Sequence, residues 1–309
     1  MKRVNVLTEG AILLALFTVL TLMTLYLPLI GAFLMVFLPL PFILYSVRHG
    51  IKAAVTLMAA SILITLLVGS LFALPLSLTY AISGIVMGYF YKKKQTSGAL
   101  IGGTIAFLIS FVVMYAASAA FFQIDPIKEA TGSMDETIEM ARSMMAAIGQ
   151  EANEAAINQI EEQMKYIGYL IPSVLVSVSF IFALLSHAAT IPVLKRLKIQ
   201  VVPLKPFREW KLPTSIVWYY LIVSFLLFFD LENGTFLFIA VLNLMFVLQV
   251  LLVVQGFSFI FFYSYVKKYS KALPVAAIIL SLILPILMYI VRILGIIDLA
   301  FNLRGRVKK

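Results

Sequence analysis

The chain has 309 residues, 62% of them hydrophobic and only 12% charged, with a mean hydropathy of +1.05. Soluble domains are about 45–50% apolar and about 25% charged, so a water-soluble fold is excluded. The net charge of +10 is not gathered on a domain or stripe that could present it to nucleic acid, and the absence of cysteine leaves neither a disulfide framework nor a thiolate site.

Apolar runs of about 20 residues, the length that crosses a hydrocarbon core, recur along the chain. Spans are predicted at about 9–26, 29–46, 53–73, 75–91, 98–122, 167–194, 214–230, 235–266 and 272–292. The expected class is therefore all-α, a polytopic transmembrane helical bundle of about 8–9 hydrophobic segments. Met1-Lys2-Arg3 ahead of the first run reads as the start of a retained helix, because no small-residue cleavage signal follows it.

Basic residues mark alternate connections. Lys2 and Arg3 precede the first span, Arg48 and Lys52 follow the second, and Lys92, Lys93 and Lys94 follow the fourth. Lys195, Arg196, Lys198, Lys205, Arg208 and Lys211 follow the sixth, whereas Leu27-Pro28 and the stretch from Gly69 to Leu74 carry no charge. The lysine and arginine bias toward the cytoplasm places the amino terminus inside.

The connection at about 123–166 is external and carries nine acidic against three basic residues. Ser133 and Glu136 have capping-box spacing. Met134, Ile138, Ala141, Met145 and Ile148, then Ala156, Ile160, Met164 and Ile167, recur at helical spacing. Two amphipathic helices outside the bilayer are predicted; a solvated spacer is the alternative.

Nine full spans would leave Arg304, Arg306, Lys308 and Lys309 outside, against the charge rule. One of the last three segments is therefore expected to be re-entrant or interfacial. The stretch from Ala272 to Asn302 fits best, because Pro285 can break a helix and Arg292 and Asp298 interrupt the apolar run.

Little suggests catalysis. The two histidines, His49 and His187, have no partner at ligand spacing, and no phosphate-binding Gly-x-x-x-x-Gly-Lys-Ser/Thr loop occurs. His49 reads as interfacial and His187 as a neutral residue bonded to a neighbouring helix. Glu9, Asp230, Glu232 and Asp298 lie near span ends without a placed acid–base pair. The chain is expected not to be an enzyme and to carry no cofactor or metal. Asn243, Gln249 and Gln255 turn about 240° per step on a helix, so they form separate interhelical bonds and no continuous ion path.

Small residues share faces on three spans: Ser77, Ala81, Gly84 and Gly88; Ala99, Gly103, Ala106 and Ser110; Ser179, Ala183, Ser186 and Thr190. Such faces let backbones approach closely in lipid, so spans four to six should pack tightly. Ala11 and Ala15 form a similar pair on the first span, for which internal packing is the plain expectation.

The Ala11/Ala15 pair, the run Leu38-Pro39-Leu40-Pro41 leading to Arg48-His49-Gly50, and Gly84-x-x-x-Gly88 before the lysine triplet together resemble the substrate-binding S components of energy-coupling-factor (ECF) vitamin transporters over about residues 5–200. The resemblance implies six helices forming a binding unit open to the outside. Ala11 and Ala15 would then face a transmembrane coupling subunit linked to ATPase subunits. Over its whole length, including Gly295-x-x-Asp298-x-x-x-Asn302-x-Arg304, the chain is similar to the YybS-like family of uncharacterised bacterial membrane proteins. The enlarged fifth connection and about 100 added residues depart from a plain S component.

The domains expected are a six-helix S-component-like membrane domain at 1–200, with its external insertion at about 123–166, and a membrane domain of two or three helical segments at 201–309. The functional expectation is a bacterial plasma-membrane subunit that binds a small organic nutrient for uptake energised by partner ATPases. The alternative is a non-transporting scaffold or regulatory protein, with Lys195, Arg196, Lys198, Lys205, Arg208 and Lys211 contacting anionic lipid or a partner. A basic cluster beside a span attracts anionic lipid by about 1 kcal/mol per charge.

Overall fold

The computed structural model describes residues 2–69, 71–121, 136, 138–140, 142–144, 166–229 and 231–307. Among them the protein is entirely helical. Seven helices are long and apolar enough to cross a bilayer: Val4–Tyr26, Leu29–His49, Ile51–Gly69, Leu74–Lys92, Thr96–Ala120, Ile171–Arg196 and Phe236–Val266. Of the predicted insertion helices, residues 136, 138–140 and 142–144 are helical and the rest lie outside the described residues.

The chain divides into two compact units, the first comprising 1–152 with 174–204 and the second 153–173 with 205–309. The first contains α1 (Lys2–Tyr26), α2 (Pro28–Leu34), α3 (Leu40–His49), α4 (Ile51–Gly69), α5 (Leu74–Lys92), α6 (Thr96–Phe121) and most of α7 (Ile171–Arg196). Prolines set the breaks: Pro28 occupies the first turn of α2, and Pro39 and Pro41 open α3 after a turn of 3-10 helix. Proline suits a first turn because its missing N–H has no partner there anyway. Gly50, at φ +89°, ends α3 with a conformation that a side chain resists.

Close approach organises this unit. A Cβ on Gly84 would stand 2.6 Å from the Pro39 carbonyl oxygen, and one on Gly88 2.6 Å from Ser46 Cβ. The small-residue face of α5 is therefore spent on α3, the second span. On α6, a Cβ at Gly103 would meet Met87 Cγ at 2.8 Å and Ala183 Cβ at 3.4 Å, so α5, α6 and α7 do pack together, through a second side of α5. The core is filled by Phe17, Phe42, Met87 and Phe107, all fully buried.

The second unit holds α8 (Ser215–Leu226), α9 (Phe236–Val266), α10 (Ala272–Ile283), α11 (Pro285–Phe301) and α12 (Leu303–Val307). The predicted seventh span contains a helix of only 12 residues. The predicted ninth is broken at Leu284, which is extended at φ −113° and ψ 98° ahead of Pro285; a residue preceding proline is driven out of the helical region. α10 has 12 residues, about 18 Å, too short for a core about 30 Å thick.

The broken pair returns to where it began. Ala272 follows closely on the end of α9, while Arg304, just beyond α11, reaches Ser258 and the Phe262 ring of the same α9 end. The segment thus leaves and comes back, placing the basic tail at the end where the Lys205–Lys211 stretch lies. α9 and α11 cross where Gly256 faces the Val291 carbonyl and Gly295 the Leu252 carbonyl, with no space for a Cβ on either glycine.

Replacing Gly256 by Val should lower the thermal unfolding temperature measured in detergent by several degrees, overpacking costing about 1–3 kcal/mol. Gly168→Ala, at a glycine with nothing within 4 Å, should leave it unchanged.

Candidate functional site: a braced basic strap

Helix ends supply the positive charge. Lys94, Lys198 and Lys268, at φ 57°, 58° and 57°, each take the left-handed position just past a helix. At each, the following amide bonds back to a carbonyl five residues earlier: Gln95 to Phe90, Ile199 to Leu194, and Tyr269 to Ser264. This capping satisfies carbonyls the helix leaves free and sets a cation at the negative end of the helix dipole. In the first unit Lys195, Arg196 and Lys198 are exposed at the end of α7. Lys94 Nζ donates to Gln200 Oε1 at 2.9 Å, and Thr96 Oγ1 to the Val202 carbonyl.

At the amino-terminal end of this unit Glu9 of α1 accepts from Arg48 and is 2.8 Å from His49 Nε2. His49 is half-buried, and the sequence did not suggest Glu9 as its anchor. His187 is buried, with Nδ1 2.6 Å from the Tyr91 hydroxyl of α5. Ala11 and Ala15 are exposed, on the side of α1 away from the buried Leu13 and Phe17. Internal packing does not account for the pair.

The second unit carries the most elaborate polar site among the described residues. Asp298, in the last turns of α11, has no exposed surface, and its Oδ2 accepts from Gln255 Nε2 at 2.5 Å and Arg304 Nε at 2.9 Å. Arg304 is 8% exposed; its Nη1 donates to the Arg208 carbonyl at 2.9 Å and its Nη2 to Ser258 Oγ at 3.0 Å. Ser258 Oγ lies 2.7 Å from both the Phe207 and Trp210 carbonyls, and Gln255 Oε1 accepts from the Leu212 amide at 2.9 Å.

The closing residue pattern now has a physical meaning at each position. Gly295 lets α11 touch α9, and Asp298 supplies the carboxylate. Asn302, at φ 47°, reverses the chain through a conformation asparagine tolerates better than most residues. Arg304 then folds back onto the carboxylate six residues before it, a pairing that helical spacing does not offer.

These bonds brace residues 207–212 as a strap along α9. Trp210 Nε1 donates to the Lys205 carbonyl at 2.9 Å, the Arg208 guanidinium lies 3.9 Å from the Tyr265 ring centre, and Lys211 Nζ donates to Asn302 Oδ1 at 2.9 Å. Beside the strap is a recess of about 310 Å³ lined by Glu209, Lys211, Phe262, Asn302, Arg304 and Gly305. Lys205, Lys211, Lys267, Lys268, Lys271 and Arg306 are exposed in the same unit. The arrangement offers anion recognition on a fixed backbone; no cluster of metal-ligating residues occurs among the described residues. Asn243 and Gln255 serve separate partners, Asn243 bonding Ser173 and the Tyr169 carbonyl.

Fold and site define a polytopic helical membrane protein with a braced basic connection. The chain belongs to the family described as "Predicted membrane protein (DUF2232)", whose model matches residues 15–299. It is 39% identical over 309 residues to "Uncharacterized protein YybS" of Bacillus subtilis (strain 168), covering 100% of both chains. No solved structure matches it.

Breaking the ion pair should destabilise the protein strongly. Asp298→Leu or Arg304→Met alone should each cost about 3–5 kcal/mol by stranding a buried charge, and the double variant less than either. Detergent or urea unfolding of the three variants measures the coupling.

Proposed function

We propose that this protein is a non-enzymatic scaffold or regulatory subunit of the bacterial plasma membrane, with its amino terminus in the cytoplasm, that presents the basic strap to an acidic soluble protein. The observation that carries the reading is the bracing of residues 207–212 through Arg304, Ser258 and Gln255. Charges that only orient a membrane protein need no fixed shape. A recognition surface gains from one, because ordering it beforehand lowers the cost of binding.

The charge at helix ends supports this orientation. α3 ends at Arg48 and His49, α5 at Lys92, α7 at Lys195 and Arg196, and α9 just before Lys267, the ends that the positive-inside bias retains in the cytosol. In the first unit, exposed Lys195, Arg196 and Lys198 offer charge to anionic lipid or a partner in the same manner.

A second reading, a substrate-binding uptake subunit working with a coupling subunit and ATPases, is supported by the exposure of Ala11 and Ala15 and by the resemblance to S components. It requires an outward pocket for a small molecule among α1–α7. Phe17, Phe42, Met87 and Phe107 occupy the core of that unit, and a 330 Å³ groove beside α5 and α6 is lined by apolar residues such as Ile82, Ile105 and Val113. We therefore rank it second.

A photo-crosslinking side chain in place of Glu209 should capture a soluble protein in intact cells. Combining Lys205→Gln, Lys211→Gln and Arg306→Gln should lower that capture about tenfold with insertion intact, a loss of rim charge acting mainly on encounter. Unchanged capture, or none from the parent, leaves the charges a topological role alone. A small molecule retained by the purified protein in native mass spectrometry would favour uptake.

A further inference from the structure

Arg292 is the one basic residue of α11, and the structure gives it no carboxylate. Asp298, the acid on the same helix, spends its bonded oxygen on Gln255 and Arg304. Arg292 makes no ion pair among the described residues; its guanidinium lies 4.8 Å from the Tyr289 ring centre. On the helix it is half-buried, between the α9-facing Gly295 and Leu299 and the exposed Tyr289 and Ile293.

Position makes this unusual. Arg292 is nine residues before Phe301, about 13 Å along the helix from the end where Asn302 meets Lys211. The adjoining exposed face of the same helix, with Tyr289, Ile293 and Ile286, is apolar as a lipid-facing surface is. A guanidinium among acyl chains is costly, about 2.5–3.5 kcal/mol at the centre of a span by insertion scales, unless it reaches an anion or the interface. With no carboxylate against it among the described residues, the anion a bilayer can supply is a lipid phosphate, which a long arginine reaches by extending toward the interface.

We infer that Arg292 and Tyr289 form a phospholipid site on the outer face of α11, the guanidinium holding the phosphate, with anionic headgroups preferred, and the flanking isoleucines holding an acyl chain. Arg suits the role because its planar fork matches phosphate in two-pronged fashion. The site is separate from the strap and stands whether or not the strap recruits a protein.

The experiment uses the full chain in nanodiscs of phosphatidylglycerol and phosphatidylcholine, stripped progressively and weighed by native mass spectrometry. The parent should retain one more phosphatidylglycerol than Arg292→Gln, whose affinity for that lipid falls about tenfold, as for loss of a charge-assisted hydrogen bond. Lys205→Gln/Lys211→Gln should retain it, and added inorganic phosphate should not displace it. Equal retention by parent and Arg292→Gln overturns the site, as does displacement by inorganic phosphate. Should Arg292→Gln fail to insert, a photo-crosslinking side chain at Ile293, with Arg292 intact, decides: a phospholipid adduct supports the site, and its absence overturns it.

Discussion

The buried pairing of Asp298 with Arg304 holds the second unit in its described form. Neither group could be left alone, because a lone buried charge costs several kcal/mol and lipid offers no water to relieve it. The pair is tolerated because both partners bond further. Gln255 shares the carboxylate, and the guanidinium spends its other nitrogens on the Arg208 carbonyl and Ser258. What the pair achieves is connection: α9, α11, the tail and the strap meet at one point. In a bilayer, where apolar burial does not itself draw helices together, polar bonds and close backbone contacts must do that work. The glycine crossing of α9 on α11 supplies the contacts and Asp298 the bonds.

Helix ends follow a related economy. Lysine in the left-handed region is less comfortable than glycine there, by about 1–2 kcal/mol, yet three helices finish that way. Each such lysine allows the last carbonyls to be capped, opposes the helix dipole and supplies the charge that the positive-inside bias acts on. Glycine would perform only the first of these. Local, electrostatic and topological requirements agree at one residue, the consistency expected of a sequence with a single fold.

Much of this was legible in the sequence and some was not, for physical reasons. Long apolar runs gave the membrane class and nine candidate spans, of which seven correspond to helices long enough to cross. The tail's charges and Pro285 already pointed to an interruption in the last segment, and the helix is broken at Leu284. Small residues announced close packing, but a stripe does not say which neighbour uses it, so the role of Gly84 and Gly88 against α3 needed coordinates. Asp298 with Arg304 escaped because the pairing depends on a chain reversal at Asn302. Glu9 with Arg48 and His49 escaped because the partners lie about 40 residues apart, and nothing local joins them.

The two basic features of the second unit differ in kind, and the difference separates topology from recognition. The exposed Lys267, Lys268 and Lys271 lie just past the end of α9, and their arrangement demands nothing beyond solvation. Residues 207–212 are tied by side chains from α9 and from the tail, bonds that a freely solvated linker would make with water at little net loss. Bonds of this kind hold the strap in one backbone shape, the property on which the proposed recognition rests. Arg292 differs again: among the described residues it has the Tyr289 ring beside it and no carboxylate, in apolar surroundings where a charge is costly. A braced strap and a cation without a carboxylate are thus the two features of this unit that solvation and internal packing do not by themselves require.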